Sequence, residues 1–215
     1  MRISGGIAKG RRVIHRKSFS KRFDEDKLRP TSAKVREAVF DILGNRVIDC
    51  RFLDLYAGTG AVGIEALSRG AGLVVFVDES PAPIRFIADL IKRYGFTGKA
   101  RVVRDRAARF VTAGRASLAA FAEGFQFDIA FVDPPYASGE IETILPLFGT
   151  GCVLRSGGLL LAEHSSKIML PVDAGGLRPV KRYQYGDTAL TLFVLEKMPD
   201  NPSMIPGRGE KSVRL

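Results

Sequence analysis

Cysteine and histidine are scarce in this chain, two of each in 215 residues. Cys50 and Cys152 make neither a disulfide framework nor a zinc site, no bound metal is expected, and a reduced cytoplasm fits best. His15 and His164 have no partner that would make either one a base. His164 ends a strand and is expected to be a structural or pocket-wall residue. Long apolar runs are missing too, since none approaches the ~18 residues needed to cross a bilayer. Met1-Arg2-Ile3-Ser4-Gly5-Gly6 lacks the apolar core of a secretory signal. No membrane role is expected, and there are no internal repeats.

Acids are few where bases crowd. Residues 1–36 hold twelve Lys or Arg against Asp24, Glu25 and Asp26, a net +9 of the chain's total of +10. Such a concentration implies contact with the phosphates of a nucleic acid. The Gly5-Gly6 and Lys9-Gly10-Arg11-Arg12 stretches suit a short hairpin or arm. Leu28-Arg29-Pro30-Thr31 ends the arm, and a helix follows from about Ser32. Val35, Ala38, Val39, Ile42 and Leu43 give that helix an apolar face, which leaves Lys34, Arg36 and Glu37 facing elsewhere. Hydrophobic content of 46% and charged content of 26% are ordinary for one globular α/β domain. The domain is expected over residues 1–198, with residues 1–30 as its basic arm and 199–215 as a mobile tail.

The segment that organises the rest is Phe127-Asp128-Ile129-Ala130-Phe131-Val132-Asp133-Pro134-Pro135-Tyr136. An apolar run bounded by turn signals suits a buried central strand. Two prolines then stop the ladder, because neither donates a backbone N–H. Asp133 is thereby fixed at a strand's carboxyl end, where open α/β sheets bind ligands. A carboxylate, a backbone carbonyl and the flat ring of Tyr136 come close together there. Such a group can hold a planar base by its exocyclic amine, with the acceptors taking the amine hydrogens and the ring stacking on the base.

Upstream, Arg51 to Ala57 is the first core strand. It runs into Gly58-Thr59-Gly60-Ala61-Val62-Gly63, a G-x-G-x-x-G turn, and a helix follows from Ile64 to Arg69. The strand Leu73 to Val77 then ends at Asp78, about 20 residues beyond Gly58, the spacing of a ribose-binding acid. Gly58 and Gly60 permit a tight turn and close approach of a nucleoside. Asp54 would repel a pyrophosphate and suits a cationic ligand with an amino group. That favours S-adenosylmethionine over a nicotinamide.

A helix after Ser80-Pro81 should bury Ile84, Ile87, Ala88, Ile91 and Tyr94. Ala100 to Arg104 is the third strand. Ala107 to Glu123 is helical with a break at Ala113-Gly114, and Gly139 to Phe148 is a short helix. Gly157 to Glu163 is the fifth strand. Val180 to Tyr185 and Thr188 to Glu196 form a hairpin around Gly186-Asp187. The order predicts a Rossmann-like, doubly wound, mainly parallel seven-stranded sheet ending in an antiparallel hairpin.

Asp54-Leu55-Tyr56-Ala57-Gly58-Thr59-Gly60, Asp78, Asp133-Pro134-Pro135-Tyr136 and the terminal hairpin resemble a class I methyltransferase acting on an exocyclic amine. Leu28-Arg29-Pro30-Thr31, Arg36-Glu37, Phe40 and Gly63-Ile64-Glu65-Ala66-Leu67-Ser68-Arg69-Gly70 are similar to the bacterial 16S ribosomal RNA guanine-N2 methyltransferases of the RsmD type. The resemblance spans roughly residues 1–197. It implies S-adenosylmethionine held by Asp54, Tyr56, Ala57, Gly58, Thr59, Gly60, Asp78, Glu79, Asp105 and Arg106. It implies catalysis by Asp133, Pro134, Pro135 and Tyr136, and RNA contacts from Arg2, Lys9, Arg11, Arg12, Arg29, Lys34 and Arg36. The expected partner is 16S ribosomal RNA or a small-subunit assembly intermediate, bound by a monomer. Where such families carry Asp or Asn beside the adenine, this chain has Arg106, with Asp105 one position earlier.

Three rival functions stay open. A DNA adenine-N6 or cytosine-N4 amino-methyltransferase shares the motifs but usually carries a separate target-reading region, and no segment here is long enough to be one. A nicotinamide-dependent oxidoreductase would use the glycine turn, but Asp54 and Asp133-Pro134-Pro135-Tyr136 speak against it. A non-catalytic ribosome-assembly factor would keep the basic arm without needing the acidic pocket.

Overall fold

The computed structural model describes residues 2–11, 32–118, 121, 124–135, 139–149, 153–172 and 174–196. Arg12, Arg29, Tyr136, Cys152 and the expected tail lie outside the described residues.

Helix α1 spans Ala33–Leu43, and the Oγ of its N-cap Ser32 accepts the Val35 amide. The core elements follow in the order β1 Arg51–Leu55, α2 Ala61–Ser68, β2 Leu73–Asp78, α3 Pro81–Tyr94 and β3 Ala100–Arg104. Next come α4 Ala107–Ala113, α5 Arg115–Leu118, β4 Phe127–Val132 and α6 Glu140–Phe148. The chain closes with β5 Leu154–Ser165, β6 Leu177–Tyr185 and β7 Thr188–Leu195.

These strands form one sheet in the order β3-β2-β1-β4-β5-β7-β6. β1 to β5 pair in parallel, and β7 runs antiparallel to both β5 and β6. The expected sheet and its terminal hairpin are therefore present. The strands Leu53-Asp54-Leu55, Val74 to Val77 and Ile129 to Val132 are buried on both faces, as the helical layers of a doubly wound fold require. One face packs Phe52, Phe76 and Leu161 against Val39, Ile64 and Ile87 of the helices. The other packs Leu53, Val75, Phe127 and Phe193 against Phe110 and Phe148. Among the described residues no helix is long and apolar enough to cross a membrane.

One detail differs from expectation. Helix α3 buries Pro83, Phe86, Ile87, Leu90 and Ile91, while Ile84, Ala88 and Tyr94 stay half-buried. The stripe is rotated by about one residue because Phe86 and Leu90 supply more apolar surface than Ala88 and Tyr94. The break expected at Ala113-Gly114 in the 107–123 stretch is present, since Gly114, with a φ of 47°, ends α4 and separates it from α5. Beyond Leu118 most of that stretch lies outside the described residues.

The first residues do form the expected short hairpin, but it is docked rather than free. Ile3 donates its amide to Arg11 and its carbonyl accepts that of Gly10. Ile3 and Ala8 are buried. The anchor is Glu65 on α2, which is fully buried. Its carboxylate accepts the Ser4 amide at 2.9 Å, the Ser4 hydroxyl at 2.8 Å, the Gly5 amide at 2.7 Å and Arg69 Nε at 2.9 Å. Arg36 Nε lies 3.7 Å from the same carboxylate, and Arg36 Nη2 donates to the Arg2 carbonyl at 2.8 Å.

Arg36 was expected on the surface, in contact with RNA. It is 2% exposed instead, and is thereby removed from the candidate RNA contacts. A buried guanidinium needs a buried acid, and α2 supplies it in Glu65. At the end of α2, the Ser68 carbonyl accepts the Ile7 amide, and the Ser68 hydroxyl both accepts from Ala8 and donates to the Gly5 carbonyl. One helix thus ties the N-terminal hairpin and α1 to the sheet.

Removing Glu65 leaves Arg36 buried without its acid, a change that costs about 3–5 kcal/mol. Glu65→Ala is expected to lower unfolding stability by that amount in urea melts. It should also deprotect the Ser4, Gly5 and Ala8 amides to hydrogen exchange.

Candidate active site at the carboxyl edge of the sheet

Crossovers leave β1 and β4 toward opposite faces, so their carboxyl ends open a crevice. Leu55 pairs with Val132, and therefore Tyr56 and Asp133 leave the sheet side by side. Leu55 also pairs with Val77, and Asp78 with Arg104, which aligns the ends of β2 and β3 along the same edge.

The turn after β1 is tight. Tyr56 takes a left-handed φ of 64°, unusual for a residue with a side chain, and Gly58 and Gly60 follow at 51° and 71°. The Gly60 amide donates to the Ala57 carbonyl at 2.7 Å, and the Ala57 amide to the Val77 carbonyl at 2.9 Å. A Cβ on Gly60 would come within 2.8 Å of Ile87, so glycine also meets a close approach from α3. The Tyr56 hydroxyl bonds to Glu140 at the start of α6, and burial together with that acid pushes its pKa up. Glu140 gave no signal in the sequence, because its partner lies far away in the chain.

Two acids brace the turn. Asp78, half-buried, accepts the Gly58 amide at 2.9 Å on one oxygen and the Ser80 amide at 2.8 Å on the other. Asp54 was expected to face the amine of a cationic ligand. It is 2% exposed instead, and its Oδ2 accepts the Gly63 amide at 2.8 Å. Burial pushes its pKa up to about 7, against the lowering effect of that amide, with the Asp78 charge adding to the rise. Asp54 is therefore a support of the turn rather than a fully charged lure.

At the end of β3, Asp105 is turned inward and Arg106 outward. The Asp105 side chain is 14% exposed, accepts the Arg106 amide and pairs with Arg109, while its own amide donates to the Asp78 carbonyl at 3.1 Å. The Arg106 side chain is 82% exposed and lies 3.5 Å from the likewise exposed Glu79, at 67%. Such a surface pair contributes little energy.

The other flank holds the Asp133-Pro134-Pro135 segment. Asp133 is half-buried, Pro134 buried and Pro135 exposed. Beside them is a notch of about 10 Å³ lined by Pro134, Pro135, Gly139, Glu163, His164 and Ile168. His164 is the expected wall residue. Its Nδ1 lies 2.9 Å from the Ser165 carbonyl and its Nε2 2.9 Å from the Thr191 hydroxyl. A carbonyl only accepts, so Nδ1 carries the hydrogen and Nε2 takes that of Thr191. Burial lowers the ring's pKa and keeps it neutral. Glu163, 5% exposed, was passed over as a strand residue. Arg2, Lys9, Arg11 and Lys34 are exposed, and the Arg11 guanidinium lies 5.7 Å from the Tyr94 ring centre.

The model of the family described as Conserved hypothetical protein 95 matches residues 1–194. Ribosomal RNA small subunit methyltransferase D of Escherichia coli (strain K12) is 32% identical over 198 residues, covering 91% of this chain and 90% of that protein. YlbH of Bacillus subtilis (strain 168) is 33% identical over 193 residues, 90% of this chain and 98% of YlbH. Among solved structures, a Thermus thermophilus hypothetical protein superposes with a TM-score of 0.70 at 31% identity, over 92% of this chain and 99% of the other. An RNA methyltransferase from Salinibacter ruber, solved with S-adenosyl-L-homocysteine, shares the fold with a TM-score of 0.58 at 12% identity, over 80% of this chain and 98% of the other.

Because Asp54 binds its proton more tightly folded than unfolded, its contribution to stability is fully present below about pH 4 and is lost as pH rises through 7. Asp54→Asn keeps an acceptor for Gly63 and has no proton to lose. Denaturant melts from pH 4 to 9 should show the variant gaining on the wild type until about pH 8, then a constant difference.

Proposed function

The chain belongs to the family of ribosomal RNA small subunit methyltransferase D and YlbH, and on that premise we propose that it transfers a methyl group from S-adenosylmethionine to the exocyclic N2 of a guanine in small-subunit (16S) ribosomal RNA. The carrying observation is the juxtaposition of Asp133-Pro134 with the glycine turn at the switch point of the sheet.

The residues at that edge suit the methyl donor. Gly58 and Gly60 adopt the left-handed φ that keeps the turn tight, and Ala57 is small. Asp78 is half-exposed, and each of its oxygens keeps a lone pair for a ribose hydroxyl. Asp105, turned inward and bonded through its amide to the Asp78 carbonyl, is the better candidate for the adenine edge, with Glu79 and Arg106 at the rim. Tyr56 and Thr59 complete the turn. When bound, the donor supplies an electrophilic methyl whose transfer leaves a neutral thioether.

The guanine amine is a poor nucleophile, because its lone pair is delocalised into the ring. The Asp133 carboxylate and the Pro134 carbonyl accept its two hydrogens and turn the lone pair outward. Pro135 contributes rigidity, since two successive prolines fix the direction of that carbonyl. As the new N–C bond forms, nitrogen becomes positive and Asp133 stabilises it. The surplus proton passes to the carboxylate and on to water. Tyr136 completes the set by stacking on the base, a contact worth ~1–3 kcal/mol. Drawing a guanine out of its stack costs a few kcal/mol.

Phosphate contacts from Arg2, Lys9, Arg11 and Lys34, joined by Arg12 and Arg29, offset that cost. The hairpin bearing Arg2, Lys9 and Arg11 docks on the last turn of α2, a helix that starts at the glycine turn. At 1.5 Å per residue, the eight residues of α2 separate the glycine turn from the turn that holds the hairpin by about 12 Å.

Asp133→Ala is expected to slow methylation of small-subunit RNA by about 10²–10⁴-fold. Calorimetric affinity for S-adenosyl-L-homocysteine should be nearly unchanged. Near-normal turnover in that variant would displace Asp133 from the chemistry.

A further inference from the structure

We propose that Glu163 is the residue that selects guanine, by accepting the N1–H adjacent to the reacting amine; this rests on the reading of the site as a guanine-N2 methyltransferase. Val132 pairs with Ala162 across β4 and β5. By that register Asp133, the first residue after β4, comes beside Glu163, which is still within β5. They also share a face. Phe131 and Leu161, two positions earlier on each strand, pack in the same core, and strand residues two apart point the same way. Leu190, the partner of Glu163 across β7, belongs to that core as well.

The surroundings favour a role toward a base. Glu163 lines the notch beside Pro134 and Pro135, a space of about 10 Å³ that is about the size of one water molecule. Its neighbour His164 has both nitrogens committed, to Ser165 and Thr191. Glu163 is thus the carboxylate of that wall, held on a strand between two paired neighbours and not on a flexible loop.

The chemistry of the edge decides what such an acid can select. Guanine presents its N2 amine beside N1–H, so donors adjoin donors. Adenine and cytosine present their amines beside a ring nitrogen that accepts. Once the Asp133 carboxylate and the Pro134 carbonyl hold the two amine hydrogens, the next group along the edge meets Glu163. A carboxylate accepts N1–H and repels a lone pair. Sites built to bond a polar group reject analogues lacking it far more strongly than apolar pockets reject a methylene. Glu163 would accordingly also separate this enzyme from the adenine and cytosine amino-methyltransferases that share its Asp-Pro-Pro segment.

The test uses 2-aminopurine, which keeps the N2 amine but has an accepting N1. Two RNA oligonucleotides are compared, one carrying the guanosine that the wild-type protein methylates and one with 2-aminopurine at that position. The wild type should strongly prefer guanosine in kcat/KM. Glu163→Gln has an amide that can donate to the bare N1, and its preference should fall by about 100-fold or more. Affinity for S-adenosyl-L-homocysteine should stay unchanged. The ratio is internal to each protein, so partial unfolding lowers both arms without moving it. Glu163→Ala serves as the second variant, and its preference should also collapse. An unmoved preference in both variants overturns the role of Glu163 while leaving the guanine reading intact. A wild type that methylates no guanosine overturns that reading itself, and this proposal with it.

Discussion

The site depends on one hydrogen bond, from the Gly63 amide to the buried Asp54 carboxylate at 2.8 Å. It ties the end of β1 to the first turn of α2 and so determines how sharply the intervening residues must bend. The first N–H groups of a helix have no partner within it and carry its positive end, which suits an acid there. The same contact leaves no space at position 63, where a Cβ would come within 2.2 Å of the Phe76 ring and 2.9 Å of Asp54. The left-handed turns at Tyr56, Gly58 and Gly60 are consequences of that closure. Burial costs the acid part of its charge, which is why its pKa rises toward 7.

Helix α2 does different work at its two ends. Its start closes the glycine turn, and its buried Glu65 and terminal Ser68 hold the N-terminal hairpin and α1. The guanidinium of Arg69, 4.8 Å from the Phe40 ring centre, adds a second link to α1. A short helix fixed on both sides gives the basic segment a defined distance from the chemistry. Under the proposed function the substrate is long and charged but reacts at a single nitrogen, and such a spacing would serve it. Across the sheet, registry does the corresponding work, since the ends of β1, β4 and β5 line up without any loop having to place Asp133 or Glu163.

The sheet was legible because its strands are continuous apolar runs punctuated by acids, glycines and prolines. The same punctuation placed Asp133 and Asp78 at strand ends, since each is the first polar residue after a buried run. The side of a residue was harder to read. Arg36 looks like a surface base until Glu65, on another element, draws it inside. Asp54 looks like a ligand contact because the glycine motif follows it, yet its partner is a backbone amide nine residues on. Glu140 carried no local mark, because its partner Tyr56 lies far away in the chain, and the place of Glu163 beside Asp133 follows only from the register of β4 and β5. The buried stripe of α3 was off by one position because Ala88 and Phe86 count alike in a pattern but not in area.

The most direct test of the account is to incubate the protein with small-subunit RNA and methyl-labelled S-adenosylmethionine, then digest the RNA and identify the labelled nucleoside. The account predicts label in N2-methylguanosine at a discrete position. Label confined to N6-methyladenosine or N4-methylcytidine, or no transfer while S-adenosyl-L-homocysteine still binds, would contradict it.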